Sequence, residues 1–260
     1  MPSVETDGRS MHYEFSGSAD LPVLVFSNSL GANLGMWNEQ VEALEGHVRV
    51  LRYDTRGHGN SGTGTIPFSI ADLAQDVLRL LDLLNIECAS FCGLSMGGVI
   101  GQWLGLHAPG RLNKLVLANT AAKIGTAETW DTRIATVQRE GLAPIIPGTL
   151  ERWFNAEFRG QHPEKVAQVR AMLETTNVNG YAACCAAIRD ADFREEIGTI
   201  QIPTLVIAGT DDPVTTLSDG QFLVSKIPGA EYVELKAAHL SNLGAAREFN
   251  SALIAFLRAA

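Results

Sequence analysis

The chain has 260 residues, enough for one large domain with an insertion or for two small ones. Apolar residues make up 46% and charged residues 19%, a globular balance without a disorder signature. The net charge of −9 argues against nucleic acid or an anionic membrane surface as a partner, while leaving room for a local cationic pocket.

Met1 to Glu14 lacks a basic patch followed by an apolar run, so no secretory leader is expected. No apolar run reaches the roughly 18 residues of a membrane span. The four cysteines, Cys88, Cys92, Cys184 and Cys185, have the spacing of neither a disulfide framework nor a zinc site. They read as small buried fillers in a reducing cytoplasm, two on the strand before residue 95 and two in a helical pattern.

Residues 3–6 and 11–15 alternate and suggest a hairpin around Asp7-Gly8. Pro22 to Phe26 is a continuous apolar run, the pattern of a strand buried on both faces. It ends in the loop Ser27-Asn28-Ser29-Leu30-Gly31. Trp37, Val41 and Leu44 recur at helical spacing. Val48 to Tyr53 is the next strand and runs into Asp54-Thr55-Arg56-Gly57-His58-Gly59-Asn60-Ser61. Ser69 and Asp72 mark a capping box, and Ile70, Leu73, Ala74, Val77, Leu80, Leu81 and Leu84 keep a helical period after it.

A short apolar run then enters Gly93-Leu94-Ser95-Met96-Gly97, followed by a helix that stops before Pro109. Leu112 to Ala118 is another buried strand. The alternation breaks at about Ala121, and residues 122–197 read as helices: Trp130 to Gln138, Leu150 to Phe158, Pro163 to Leu173 and Tyr181 to Ala187. Strands resume at Thr204–Ala208 and Tyr232–Leu235. A last amphipathic helix carries Ala245, Phe249, Leu253 and Phe256. This rhythm implies a mostly parallel sheet covered on both faces, with the helical insertion over the carboxyl ends of its strands.

A strand ending in Gly-x-Ser-x-Gly with a helix starting from it is a nucleophile elbow, which pushes the Ser95 hydroxyl into the open. A serine needs a base, and the base needs an orienting acid. Of the six histidines, His239 sits on a loop between a late strand and the final helix, at the sheet edge that carries Ser95. The acid is expected directly after the strand ending at Ala208, with Asp212 preferred and Asp211 as the alternative. The loop after Ala118 offers Asn119-Thr120 and no acid. Two backbone N–H groups, of Met96 and Leu30, are placed to hold an oxyanion.

Together Gly93 to Gly97, Asp54-x-Arg56-Gly57-His58-Gly59-x-Ser61, Gly209-x-x-Asp212 and His239 resemble the α/β-hydrolases over nearly the whole chain. The resemblance implies an eight-stranded, mostly parallel sheet with helices on both faces. The core would be residues 1–121 and 198–260, and residues 122–197 a helical cap. The Asp54–Ser61 loop would be structural. Many relatives carry His-Gly-x-Gly where this chain has Asn28-Ser29-Leu30-Gly31. That form, with Cys92 to Gly98 and Asp212-Pro213-Val214-Thr215, resembles bacterial 3-oxoadipate enol-lactonases. This implies a small anionic lactone as substrate, with no metal and no organic cofactor.

The substrate carboxylate would need a partner from the insertion, where acids and bases are interspersed. Arg133, one turn from Trp130, is the candidate, with Trp153 as an apolar wall. The alternative is an Arg133 paired with Asp131 or Glu140 on a solvated helix face. A carboxylesterase or a C–C bond hydrolase of the same fold is the alternative activity.

Overall fold

A computed structural model describes residues 2–6 and 8–259. The chain forms one eight-stranded sheet in the order β1-β2-β4-β3-β5-β6-β7-β8. Strand β1 (Ser3–Thr6) pairs antiparallel with β2 (Arg9–Ser16), Thr6 facing Arg9. The expected turn includes Asp7, which lies outside the described residues. Strand β2 also pairs antiparallel with β4 (Arg49–Tyr53). The other pairings, through β3 (Val23–Ser27), β5 (Ala89–Leu94), β6 (Leu112–Ala118), β7 (Thr204–Gly209) and β8 (Glu231–Leu235), are parallel.

Parallel strands need crossovers, and here helices supply most of them. Helix α1 (Asn38–Ala43) follows β3 after a short 3₁₀ turn, α2 (Ile70–Leu83) follows β4, and α3 (Met96–His107) follows β5. The capping box of α2 forms as its sequence suggests: Ser69 Oγ accepts the Asp72 N–H, and the Asp72 carboxylate accepts the Ser69 N–H. One stripe of α2 is buried, comprising Ile70, Leu73, Ala74, Val77, Leu80 and Leu81. Each large apolar side chain so buried contributes about 1.5–3 kcal/mol. Cys92 is buried within β5, whereas Cys88 lies just before that strand instead of on it.

Between β6 and β7 the described residues form no strand. They form α4 (Ala127–Glu140), α5 (Ile146–Trp153), α6 (Ala156–Gln161), α7 (Pro163–Thr175) and α8 (Val178–Asp190). The single helix expected over Leu150–Phe158 is two. Phe154 is extended, and Asn155 caps α6 by accepting the Phe158 N–H at 2.9 Å. Helix α9 (Leu217–Lys226), between β7 and β8, is absent from the sequence reading. The Asp219 carboxylate starts it by accepting the N–H and the hydroxyl of Thr216. The chain ends with α10 (Ser241–Gly244) and α11 (Ala246–Arg258). No helix among the described residues is long and apolar enough to cross a membrane.

Helix α8 meets the core backbone to backbone. A Cβ on Gly180 would stand 2.5 Å from the Gly57 Cα, and the Asn177 N–H donates to the Gly57 carbonyl at 3.1 Å. Gly180→Ala is therefore expected to destabilise the protein by about 1–3 kcal/mol, since two backbones must separate. The shift should appear in the urea midpoint. Gly160→Ala, at a helical position with open space around it, serves as the neutral control.

Candidate active site

The elbow forms at the end of the central strand β5. Ser95 takes φ +56° and ψ −113°, a conformation that costs a non-glycine residue about 1–3 kcal/mol and must be held by its surroundings. Its N–H donates to the Ala118 carbonyl at 3.0 Å, and its carbonyl accepts the Thr120 hydroxyl at 2.8 Å. The flanking glycines are fixed by space. A Cβ on Gly93 would lie 2.1 Å from the Gly97 carbonyl oxygen, and one on Gly97 would lie 2.2 Å from that of Ser27.

His239 lies after β8, buried, with its ring 6.4 Å from that of Trp153. Its Nδ1 is 2.8 Å from Asp212 Oδ2. The other Asp212 oxygen accepts the N–H groups of Val214 (2.7 Å) and Thr215 (3.2 Å). Oδ2 also accepts the Thr215 hydroxyl (2.8 Å) and the Asn119 side-chain N–H (3.0 Å). Burial works to raise the Asp212 pKa, but His239 and these donors outweigh it and leave it below the ordinary carboxylate value. Asp211 turns outward, where its carboxylate accepts from Asn155 at 2.8 Å. The geometry thus separates the two neighbours that the sequence left as alternatives. Asn119 supplies no acid, but it braces the carboxylate and accepts the Ser241 hydroxyl.

The N–H of Met96 opens α3, where helix geometry leaves it outside the intrahelical ladder. Around Leu30, the N–H groups of Ser29, Gly31 and Ala32 are all engaged. Among the described residues, none accepts the Leu30 N–H. Asn28, the residue in place of the more usual histidine, is buried. Its amide donates to the Tyr53 carbonyl at 2.8 Å and accepts the Trp37 indole N–H at 2.9 Å.

Ser95, His239 and Leu30 line a narrow cavity of about 40 Å³ with Trp130, Trp153, Arg133 and Arg152. Arg133 does not make either pairing suggested as the alternative, because Asp131 binds Arg189 at 2.6 Å and Glu140 binds Arg139. Instead Arg133 donates to the Thr149 hydroxyl at 3.1 Å and lies over the Trp130 ring at 5.9 Å. Arg152, missed in the sequence, donates to the same hydroxyl at 3.3 Å. Burial, then the neighbouring Arg133 charge, lowers the Arg152 pKa. Among the described residues neither arginine has a carboxylate partner. A second pocket residue missed in the sequence is Tyr181 of α8.

The fold, the elbow and the buried Asp–His pair are those of a hydrolase. The sequence profile of the alpha/beta hydrolase fold family matches residues 22–246, and the chain belongs to that family. It is 46% identical to 3-oxoadipate enol-lactonase 2 of Acinetobacter baylyi, over 96% of this chain and 93% of that protein. 3-Oxoadipate enol-lactonase 1 of the same organism is 41% identical, over 96% and 94%. The crystal structure of the enol-lactonase from Burkholderia xenovorans LB400 superposes with a TM-score of 0.98 at 43% identity, covering 99% of this chain and 100% of that one. The chain is therefore an enzyme of hydrolase type that resembles bacterial enol-lactonases.

Asp212→Asn presents His239 Nδ1 with an amide and lets the ring adopt the wrong tautomer. It is expected to lower kcat on p-nitrophenyl acetate by about 10³–10⁴-fold, while Asp211→Asn stays within about twofold of wild type. The sign with pH also follows. Stability from the ionised Asp212 is complete above the unfolded-state value of 3.8 and is lost as pH falls through the lower native value. Acid unfolding of Asp212→Asn should lack that contribution.

Proposed function

We infer that the enzyme hydrolyses 3-oxoadipate enol-lactone to 3-oxoadipate in the β-ketoadipate route of aromatic catabolism, with residues 122–197 acting as a substrate-binding cap. The observation that carries this reading is a pair of arginines without carboxylate partners, Arg133 and Arg152, in one small cavity with Ser95 and His239. A bifurcated cationic site of this kind suits a substrate that brings its own carboxylate. The named relatives at 41–46% identity support the lactone as the reacting group.

In this reading Ser95 Oγ attacks the ring carbonyl while His239 takes its proton, and Asp212 holds the histidine tautomer. The carbonyl oxygen becomes an oxyanion held by the Leu30 and Met96 N–H groups. Losing one such donor costs about 3–4 kcal/mol. The ring C–O bond breaks, and protonated His239 gives its proton to the departing enol oxygen. The enol relaxes to a ketone. His239 then activates water, which attacks the acyl-Ser95 ester, releases the carboxylic acid and restores the serine. Arg133 and Arg152 hold the acetate side chain throughout, with Trp130 and Trp153 as apolar walls. The four cysteines are unbridged, which fits the reducing cytoplasm.

Loss of the enol-lactone ultraviolet absorbance tests the reading. Wild type is expected to turn the lactone over, and Ser95→Ala to abolish it. Cleavage of p-nitrophenyl acetate without lactone turnover would move the assignment to another esterase or C–C hydrolase of the family. Arg133→Ala and Arg152→Ala should each raise KM for the acidic lactone about tenfold or more and leave KM for the neutral ester nearly unchanged. Equal effects on both substrates would remove the carboxylate role.

A further inference from the structure

The buried histidine of the Asp54–Ser61 loop lies outside the proposed proton path, yet it touches the peptide next to the proposed oxyanion donor. His58 Nε2 is 2.9 Å from the Gly31 nitrogen and accepts its N–H. His58 Nδ1 is 2.9 Å from the Arg56 carbonyl oxygen. A carbonyl can only accept, so Nδ1 carries the proton and Nε2 the lone pair. The contact therefore requires one tautomer of neutral imidazole. Burial, against the opposing pull of the Arg56 carbonyl and the Asp54 carboxylate, lowers the His58 pKa and keeps the ring neutral.

Gly31 is held on its other side as well. Its carbonyl accepts the Thr176 hydroxyl at 3.3 Å, and its φ is +84°. A Cβ there would meet Leu173 at 2.6 Å and Tyr181 at 3.1 Å. With Gly31 clamped, the Leu30–Gly31 peptide has little freedom, and the adjoining Ser29–Leu30 peptide, which carries the Leu30 N–H, is held by the Ala32 N–H donating to the Ser29 carbonyl at 3.1 Å.

We propose that His58 is a positioning residue that fixes the oxyanion loop, accepting the Gly31 N–H so that the Leu30 N–H stays directed at the substrate carbonyl. The inference rests on the oxyanion role of Leu30 in the function proposed above. Misplacing a catalytic group by about 1 Å can cost on the order of 10²-fold in rate.

The test compares His58→Leu, which removes the acceptor, with His58→Gln, whose amide keeps one donor and one acceptor. Both are assayed on p-nitrophenyl acetate, so that the comparison stands even if the lactone proves not to be the substrate. His58→Leu is expected to lose kcat by about 10–100-fold with KM nearly unchanged, and to bind a boronic acid transition-state analogue more weakly by a similar factor. His58→Gln should recover most of both. Long-range ¹H–¹⁵N spectra of wild type at pH 7 give a readout independent of any variant, with His58 expected as the neutral Nδ1–H tautomer. An Nε2–H tautomer or an imidazolium would overturn the proposal. So would a His58→Leu kcat within threefold of wild type, or a His58→Gln no better than His58→Leu.

Discussion

The structure depends on a close approach of three pieces of backbone. At the end of β5 the chain turns so sharply that Gly93 nearly touches Gly97, and Gly97 nearly touches Ser27 at the end of β3. The same approach lets the Gly97 N–H donate to the Asn28 carbonyl at 3.1 Å. One contact therefore sets both the strained conformation of Ser95 and the start of the loop that carries Leu30. The proposed nucleophile and the proposed oxyanion donor are placed together because they grow from adjacent parallel strands locked at a single point.

Around this point the polar groups are bound in two separate circuits. One surrounds Asp212, whose two oxygens receive donors from Val214, Thr215, Asn119 and His239. The other surrounds Asp54, which accepts the N–H groups of Leu34 (2.8 Å) and Asn60 (2.9 Å) and meets His12 Nδ1 at 2.8 Å. Both carboxylates are buried, where an unpaired charge would be costly. The first circuit orients the histidine of the site, and the second shapes the loop that carries His58. The arginines of the cavity differ from both. Among the described residues they form no ion pair with a carboxylate and share the neutral Thr149 hydroxyl as acceptor, which leaves them available to a ligand.

The sheet and its crossovers were legible because buried parallel strands write continuous apolar runs and α2 writes a clean helical period. The elbow was legible because close backbone contact admits only glycine at two fixed positions. Asp212 could be preferred but not separated from Asp211, since both sit in one turn and only the surrounding donors distinguish them. Arg152 was missed for a similar reason. Nothing in the order of residues shows that helices α4 and α5 aim two arginines at Thr149. The break between α5 and α6 and the start of α9 did leave local signals, Asn155 three residues before Phe158 and Thr216 three before Asp219. The first was masked because Leu150, Trp153, Phe154 and Phe158 keep a helical spacing across the break.

The meeting of Gly57 with Gly180 divides the helical insertion unevenly. Helix α8 shares a backbone contact with the core loop, while α4 and α5 contribute the cationic wall of the cavity. In modular terms, the insertion is anchored to the core at two backbone points, Gly180 in α8 and Trp153 in α5, and α4 packs on α8. A chimera that swaps the whole insertion must bring a glycine to the position of Gly180, or it will lift the loop holding His58. One that swaps α4 to α6 must also keep a backbone carbonyl at the position of Trp153, because it accepts the Leu240 N–H at 3.1 Å and so holds the loop that carries His239.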